Sequence, residues 1–301
     1  MISVNVVGGL GNQLFQIFAA IAYSMREKTP FVFPLHKYDE KTRPTYWDEG
    51  SFLHSLNPFV SPNNLNLPIY REPFFQYKKL PRLNSQENVH NGGDIILHGY
   101  FQSYKYFQEN YNTISRMIRI EEQRKMVLEK CRNIFLNDDD ETVKYISLHF
   151  RLGDYKRVQH CHNLLQNDYY MLALKHIINI VNHSNNSDKI QYKVIYFCEK
   201  EDDAVVEKRI EKINELINRM FKNINISFIR INDTLEDWEQ MLAMSLCEHN
   251  IIANSSFSWW GAYINDNPDK IVTYPSIWFG PMMADKNVSD LFPDDWKMIN
   301  L

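Results

Sequence analysis

The sequence predicts an α/β protein of two domains, each built on a mostly parallel sheet, and three observations carry that expectation. Apolar, strand-like runs alternate with helix-period segments through the second half, the signature of consecutive βαβ units. The first half opens in the same way, with a strand, a glycine turn and a helix. The length, 301 residues, exceeds what one hydrophobic core usually organises.

Taken in order, ISVNVV (Ile2–Val7) reads as the first strand and a helix follows from about Asn12 to Lys28. Leu14, Phe18, Ile21 and Met25 fall on one face of that helix. Prolines and aromatics without a clear period then run to about Leu83, followed by a polar stretch from Asn84 to Gly93. The strand-like DIILHGYF (Asp94–Phe101) and helical material to Leu136 complete the half. The acidic run Asp138–Glu141 is the candidate linker, which sets domains at 1–140 and 141–301. Beyond it, strands are expected at Val143–Phe150, Tyr192–Cys198, Ile226–Ile231, Asn250–Ala253 and Lys270–Pro275. Helices are expected at Asp168–Val181, Asp202–Phe221 and Leu235–Leu246, with another opening near Ser256. Right-handed crossovers bring the carboxyl ends of such strands to one edge, where ligands bind.

Composition removes several classes of function. Hydrophobic and aromatic contents of 44% and 14% exclude wholesale disorder. Thirty-three basic against 37 acidic residues give no surplus for a nucleic-acid backbone. No apolar run reaches the length of a membrane span, and the N-terminus lacks the basic region of a signal peptide. Cys131, Cys161, Cys198 and Cys247 are well separated, without a disulfide framework or a CxxC motif. The expectation is a soluble cytoplasmic protein with no transmembrane anchor and no nucleic-acid partner.

Three constellations stand at expected strand ends. Asn254-Ser255-Ser256-Phe257 lies where a buried strand turns into a helix. Its exposed amides and hydroxyls suit a phosphate, while spacing alone favours plain capping by serine. In His149-Phe150-Arg151-Leu152-Gly153-Asp154, strand alternation points His149 and Arg151 the same way. Arg151 suits bidentate phosphate recognition, with Asp154 orienting it or touching a sugar hydroxyl; a purely structural Arg–Asp pair reads equally well. Gly8-Gly9-Leu10-Gly11-Asn12-Gln13 forms a tight loop after the first strand, but its spacing is not that of a dinucleotide fingerprint. Metal readings are weak: Asp138-Asp139-Asp140 precedes a strand and reads as linker, and His160-Cys161-His162 lacks partners at zinc spacing. No P-loop signature occurs.

Together these segments resemble the α-1,2-fucosyltransferase family. The resemblance rests on GGLGNQLFQ (Gly8–Gln16), RPTYW (Arg43–Trp47), GYFQSYKYF (Gly99–Phe107), HFRLGDY (His149–Tyr155), SLCEHNIIANSSFSWWGA (Ser245–Ala262) and the terminal PSIWF and PDDW. It implies a GT-B-like fold, two Rossmann-like domains facing across a cleft, with the acceptor on the N-terminal side and GDP-fucose on the C-terminal side. The implied reaction moves fucose from GDP-fucose to O2 of a galactose in an oligosaccharide acceptor, with inversion and without a metal or other cofactor.

By the same resemblance Arg151 holds the pyrophosphate, His149 lies beside the nucleotide, and Asn254, Ser255, Ser256 and Phe257 form the phosphate-binding helix start. Gly11, Asn12 and Gln13 lie near the fucose and phosphate, and Arg151, Asp154 and Asn12 form the implied catalytic set. Two departures stand out. Leu152 occupies the place of a second arginine, and Gln240 that of an acidic residue, leaving Asp237 and Glu239 as the candidates that read guanine. Physically, Arg151 and the helix amides would stabilise charge gathering on departing GDP. Asp154 reads as support for Arg151, and no general base is named. The alternatives are a fucosyltransferase of another linkage or acceptor, or a non-catalytic protein of this fold that binds glycans or nucleotide sugars.

Overall fold

A computed structural model describes residues 1–35, 43–63, 65–83, 93–135, 142–184 and 190–301. The expected linker at 138–141 and nearly all of the polar stretch at 84–93 lie outside the described residues. The chain divides into two units, residues 1–123 with 286–293, and residues 124–285 with 294–301. This division differs from the expected 140/141 boundary, and local bonds explain why. Arg124 and Lys130 pair with Asp266 and Glu239 of the second unit. The Ser103 hydroxyl donates to Asp290 O at 2.5 Å and Lys105 pairs with the Asp290 carboxylate, which ties 286–293 to the first unit.

The first unit contains β1 (Ile2–Val4), α1 (Leu10–Glu27), β2 (Phe33–Pro34), β3 (Val60–Ser61), β4 (Ile69–Arg71), β5 (Ile95–His98) and α2 (Tyr111–Ile118). A helix α3 (Ile120–Lys130) runs on into the second unit. Strands β1, β5 and β4 form a parallel sheet in that order, with Ile2 opposite Ile95 and Ile69 opposite Ile96. On the other side of β1, Ile2 bridges Phe31, just before the parallel β2–β3 pair.

Helix α1 begins after Gly8, whose φ of +83° favours glycine, and ends where Lys28 turns left-handed. It is buried around most of its circumference rather than along one face. Small Ala19, Ala20 and Ala22 bring it close to its neighbours, while Phe18 meets Phe107 and Tyr111 on α2 and the loop before it.

The second unit contains α4 (Arg132–Phe135), β6 (Val143–His149), α5 (Asn167–Ser184), β7 (Gln191–Phe197), α6 (Asp203–Met220), β8 (Asn225–Arg230) and α7 (Asp237–Met244). It closes with β9 (His249–Ile251), α8 (Ser256–Ile264), β10 (Val272–Pro275) and β11 (Lys297–Ile299). Its sheet has six strands in the order β11-β10-β9-β6-β7-β8, every pair parallel. The order is that of a doubly wound Rossmann-type sheet. Central β6 is almost wholly buried, as a strand covered on both faces must be. Ile146, Leu148 and Phe150 pack with Tyr170, Leu174 and Ile177 of α5, and with Val206 and Ile213 of α6. Tyr169 donates its buried hydroxyl to Ile252 O (2.5 Å) and Thr273 O (3.1 Å), which pins α5 to two strand ends. Both units are therefore α/β with parallel sheets, as expected. Among the described residues no helix is long and apolar enough to cross a membrane.

Candidate functional site

In the second sheet the chain leaves β6 for β7 on one side, and β9 lies on the other. That reversal of strand order opens a crevice at the carboxyl ends of β6 and β9, where parallel α/β sheets bind ligands. His149–Asp154 follows β6 and Asn254–Phe257 follows β9, so two of the three sequence constellations flank this one switch point. Direct contacts join them. The His149 ring lies 5.6 Å from the Phe257 ring, and the Tyr155 hydroxyl donates to Asn254 O at 3.1 Å.

Arg151 is braced on three sides. Its guanidinium pairs with the carboxylates of Asp154 and Glu199 and lies 5.0 Å above the centre of the Tyr155 ring. Burial pushes the Tyr155 hydroxyl up to about 12, so it stays protonated and donates. The loop behind Arg151 is cross-linked to the segment after β7. Gly153 N donates to the buried Asp202 carboxylate at 2.8 Å, and Lys156 pairs with the same group. Gly153 sits at φ +30°, and a Cβ there would lie 2.5 Å from the Glu199 oxygens. Glu199 and Asp202 were absent from the sequence expectations. The available signal was an acidic residue just past the second strand of a βαβ unit.

His149 is neutral. Burial, reinforced by Arg151, drives its imidazole from 6.5 down to about 3. Its Nδ1 and the Asn254 Oδ1 are both buried without a hydrogen-bond partner among the described residues. An unpaired buried acceptor costs about 1–3 kcal/mol, which makes the pair a place where a donating ligand is favoured. The Asn254 amide nitrogen is already committed to Asn163 O (2.9 Å) and Trp278 O (3.2 Å). Ser255 caps α8, its hydroxyl accepting from Phe257 N at 3.3 Å, while Ser256 and Phe257 are half-buried. The capping reading of Ser255 thus holds, and the positive end of α8 still faces the crevice.

The two guanine candidates separate. Glu239 is buried, takes part in a capping box through Glu236 N (2.9 Å), and pairs with Lys130. Asp237 is exposed in the first turn of α7. Glu239 is thus a structural carboxylate, and Asp237 alone is open to a ligand.

The first unit carries its own switch point, between β1 and β5. Asn5 Nδ2 donates to His98 Nδ1 at 3.0 Å, and Gln102 Nε2 donates to Asn12 Oδ1 at 2.7 Å. Gln13 is buried, its amide nitrogen donating to Gly8 O (2.9 Å) and Pro44 O (3.0 Å). Gln16 clamps Val7 through both backbone groups. Gln13 and the buried Gly11 therefore shape the loop from within, and Asn12 is the half-buried member of the expected trio. Beside them the Glu72 carboxylate accepts from Tyr100 N (2.8 Å) and Phe101 N (3.1 Å). Phe101 adopts φ +50°, unusual for its type, while its fully buried ring packs edge-on against Tyr106.

Among the described residues, Glu199, Glu201 and Asp202 bring ligand oxygens within 4.8 Å of one another. Arg151, Gly153 N and Lys156 already engage two of these carboxylates. His162 stacks on Tyr155 at 4.5 Å, so its ring is part of the packing behind Arg151. Asp138–Asp140 lie outside the described residues.

Residues 76–300 match the family model described as glycosyl transferase family 11. The chain is 28% identical to the O-antigen biosynthesis glycosyltransferase WbnK of Escherichia coli, over 98% of each chain. It is 25% identical to an alpha-1,2-colitosyltransferase of Escherichia coli over 99% of each. A galactoside 2-alpha-L-fucosyltransferase of Caenorhabditis elegans is 21% identical, over all of this chain and 79% of that one.

Proposed function

The chain belongs to glycosyl transferase family 11, and on that premise we propose that it moves L-fucose from GDP-fucose to O2 of a β-linked galactose, with inversion and without a metal. The observation that carries this reading is the convergence of Arg151 and the α8 N-terminus on one switch-point crevice. A planar guanidinium and a helix start are the two protein devices best suited to a diphosphate.

In this mechanism the acceptor hydroxyl oxygen attacks the anomeric carbon as the bond to the β-phosphate oxygen breaks, and the hydroxyl proton leaves to the departing phosphate or to water. Negative charge gathers on GDP, and Arg151 with the α8 amides holds it. One such donor typically contributes ~3 kcal/mol, about two decades in rate. Asp154 and Glu199 orient the guanidinium, and His149, held neutral, offers an acceptor or donor beside the nucleotide without adding charge. Asp237 reads the guanine edge. The relatives named for colitose and fucose transfer make the donor sugar the variable to test first.

The full chain is incubated with lactose and either GDP-fucose or GDP-colitose, with and without EDTA. Transfer from GDP-fucose to O2 of galactose, undiminished by EDTA, is the expected result. Transfer only from GDP-colitose, or activity abolished by EDTA and restored by manganese, contradicts the donor or the metal-free assignment. Tight lactose binding with no GDP release would favour the non-catalytic alternative.

A further inference from the structure

The loop that leaves β6 does more than carry Arg151. Residues 160–161 are zipped to the segment after β10, where Gly280 N donates to Cys161 O at 2.7 Å and Met282 N to His160 O at 2.9 Å. Gly280 permits that approach, since a Cβ there would lie 2.5 Å from Gln159 O and 2.6 Å from His160 O. The next residue, His162, then lies against two rings, parallel to Tyr155 at 4.5 Å and tilted to Phe279 at 5.8 Å. Tyr155 is where these contacts meet the crevice. Its ring carries the Arg151 guanidinium 5.0 Å from its centre. Its hydroxyl donates to Asn254 O at 3.1 Å, on the turn between β9 and α8. That hydroxyl stays protonated, pushed up to about 12 by burial, so the bond persists across neutral pH. One side chain therefore touches both elements that a diphosphate needs, the guanidinium after β6 and the turn that opens α8.

An arginine loses rotamer freedom when it grips an anion, and a guanidinium already seated on an aromatic face loses less. Tyrosine suits the task because a rigid ring ends in a polar tip, so that fixing the tip also fixes the ring. We propose that Tyr155 is a positioning residue for the nucleoside diphosphate. Its ring seats Arg151 and its hydroxyl fixes the turn before α8, so that the two phosphate-binding elements act as one unit. The inference deepens the donor reading above and rests on it. It also gives the end of the His149–Tyr155 motif a task distinct from that of Arg151. A phenylalanine would keep the seat for Arg151 and release the turn, whereas a leucine would lose both.

The test is a double-mutant cycle on the full chain, with GDP as the probe and its affinity read by calorimetry. Tyr155→Phe, Tyr155→Leu and Arg151→Ala are made singly, and each tyrosine variant is combined with Arg151→Ala. Tyr155→Phe weakens GDP binding about threefold in both backgrounds, because the hydroxyl acts through α8. Tyr155→Leu weakens it about tenfold beside Arg151, but only about threefold in the Arg151→Ala background, where the ring has no guanidinium to seat. A residue that only stiffened the fold would cost the same factor in both backgrounds. Equal losses for Tyr155→Leu in the two backgrounds, or unchanged GDP affinity in Tyr155→Phe, overturn the proposal. Tyr155→Phe fills nearly the same space as the wild type, so it reports even where Tyr155→Leu disturbs folding. Failure of the donor reading looks different and takes the proposal with it: GDP then binds Arg151→Ala as tightly as the wild type.

Discussion

At the carboxyl edge of the second sheet stand Arg151, Lys156 and the start of α8; at the same edge of the first stand Glu72, His98 and a set of neutral amides. Both edges are switch points of parallel sheets, so topology alone makes each a place for a ligand. What they present divides them. The second sheet's edge offers a guanidinium held in place by Asp154 and Glu199 and the amides of a helix start, and the first sheet's edge a carboxylate held by two backbone amides. The overall charge of −4 carries no trace of this difference, because the groups that decide it number only a handful on each edge.

The largest expected effect comes from the edge that carries Arg151. Arg151→Ala should lower kcat about a hundredfold, the ~3 kcal/mol of one donor to a developing anion, and leave the KM for lactose unchanged. A folded Arg151→Ala variant with near-normal turnover would break the comparison. Asp237→Asn should raise the KM for GDP-fucose about tenfold, for one charge-assisted bond to the base. Glu239→Gln should leave that KM alone and lower stability by up to about 1 kcal/mol, because it loses the Lys130 ion pair while its amide oxygen can still accept from Glu236 N. The reverse pattern would move guanine recognition to the buried residue.

Ser255 sharpens the division between scaffold and ligand contact. Ser255→Ala should cost ~1 kcal/mol of stability, whereas Ser255→Gly costs a few tenths because glycine is itself tolerated at a helix N-cap. Equal rises in donor KM for both variants would mean that the hydroxyl touches phosphate; no rise would leave it a cap.

A pH dependence tests the setting of His149. His149 has its folded value, about 3, far below 6.5. Its contribution to stability is therefore complete above 6.5 and is lost as pH falls towards 3, because the unfolded chain binds the extra proton. The slope from this one group is at most ~1.4 kcal/mol per pH unit. Urea unfolding of His149→Asn should show a shallower loss between pH 6.5 and pH 4 than the wild type. Parallel curves would mean that the imidazole is not held neutral.

How far the sequence could be read also differs between the two units. In the second unit β6, β7 and β8 are six or seven residues long and rich in β-branched and aromatic residues, so each was visible, as were α5 and α6. The short β11 was not, because Lys-Met-Ile at a sheet edge has neither length nor alternation. In the first unit β4 is three residues between Pro68 and Pro73, and its strand character comes only from pairing with β5. Arg151 and the α8 start were legible because a motif places them at strand ends. Glu199 and Glu72 were not. Each acts on a backbone or side chain 48 or 28 residues distant, brought close by tertiary packing around Gly153 and Gly99. Gln13 illustrates the converse: a motif residue whose side chain turns inward to hold its own loop.

The most direct test of the division between the two edges is calorimetric titration of GDP into Arg151→Ala and the wild type at equal ionic strength. The account predicts an affinity for GDP at least about tenfold weaker in the variant, the loss of a bidentate charge-assisted contact. Equal affinities in a folded variant would contradict it, and would move the diphosphate away from the crevice between β6 and β9.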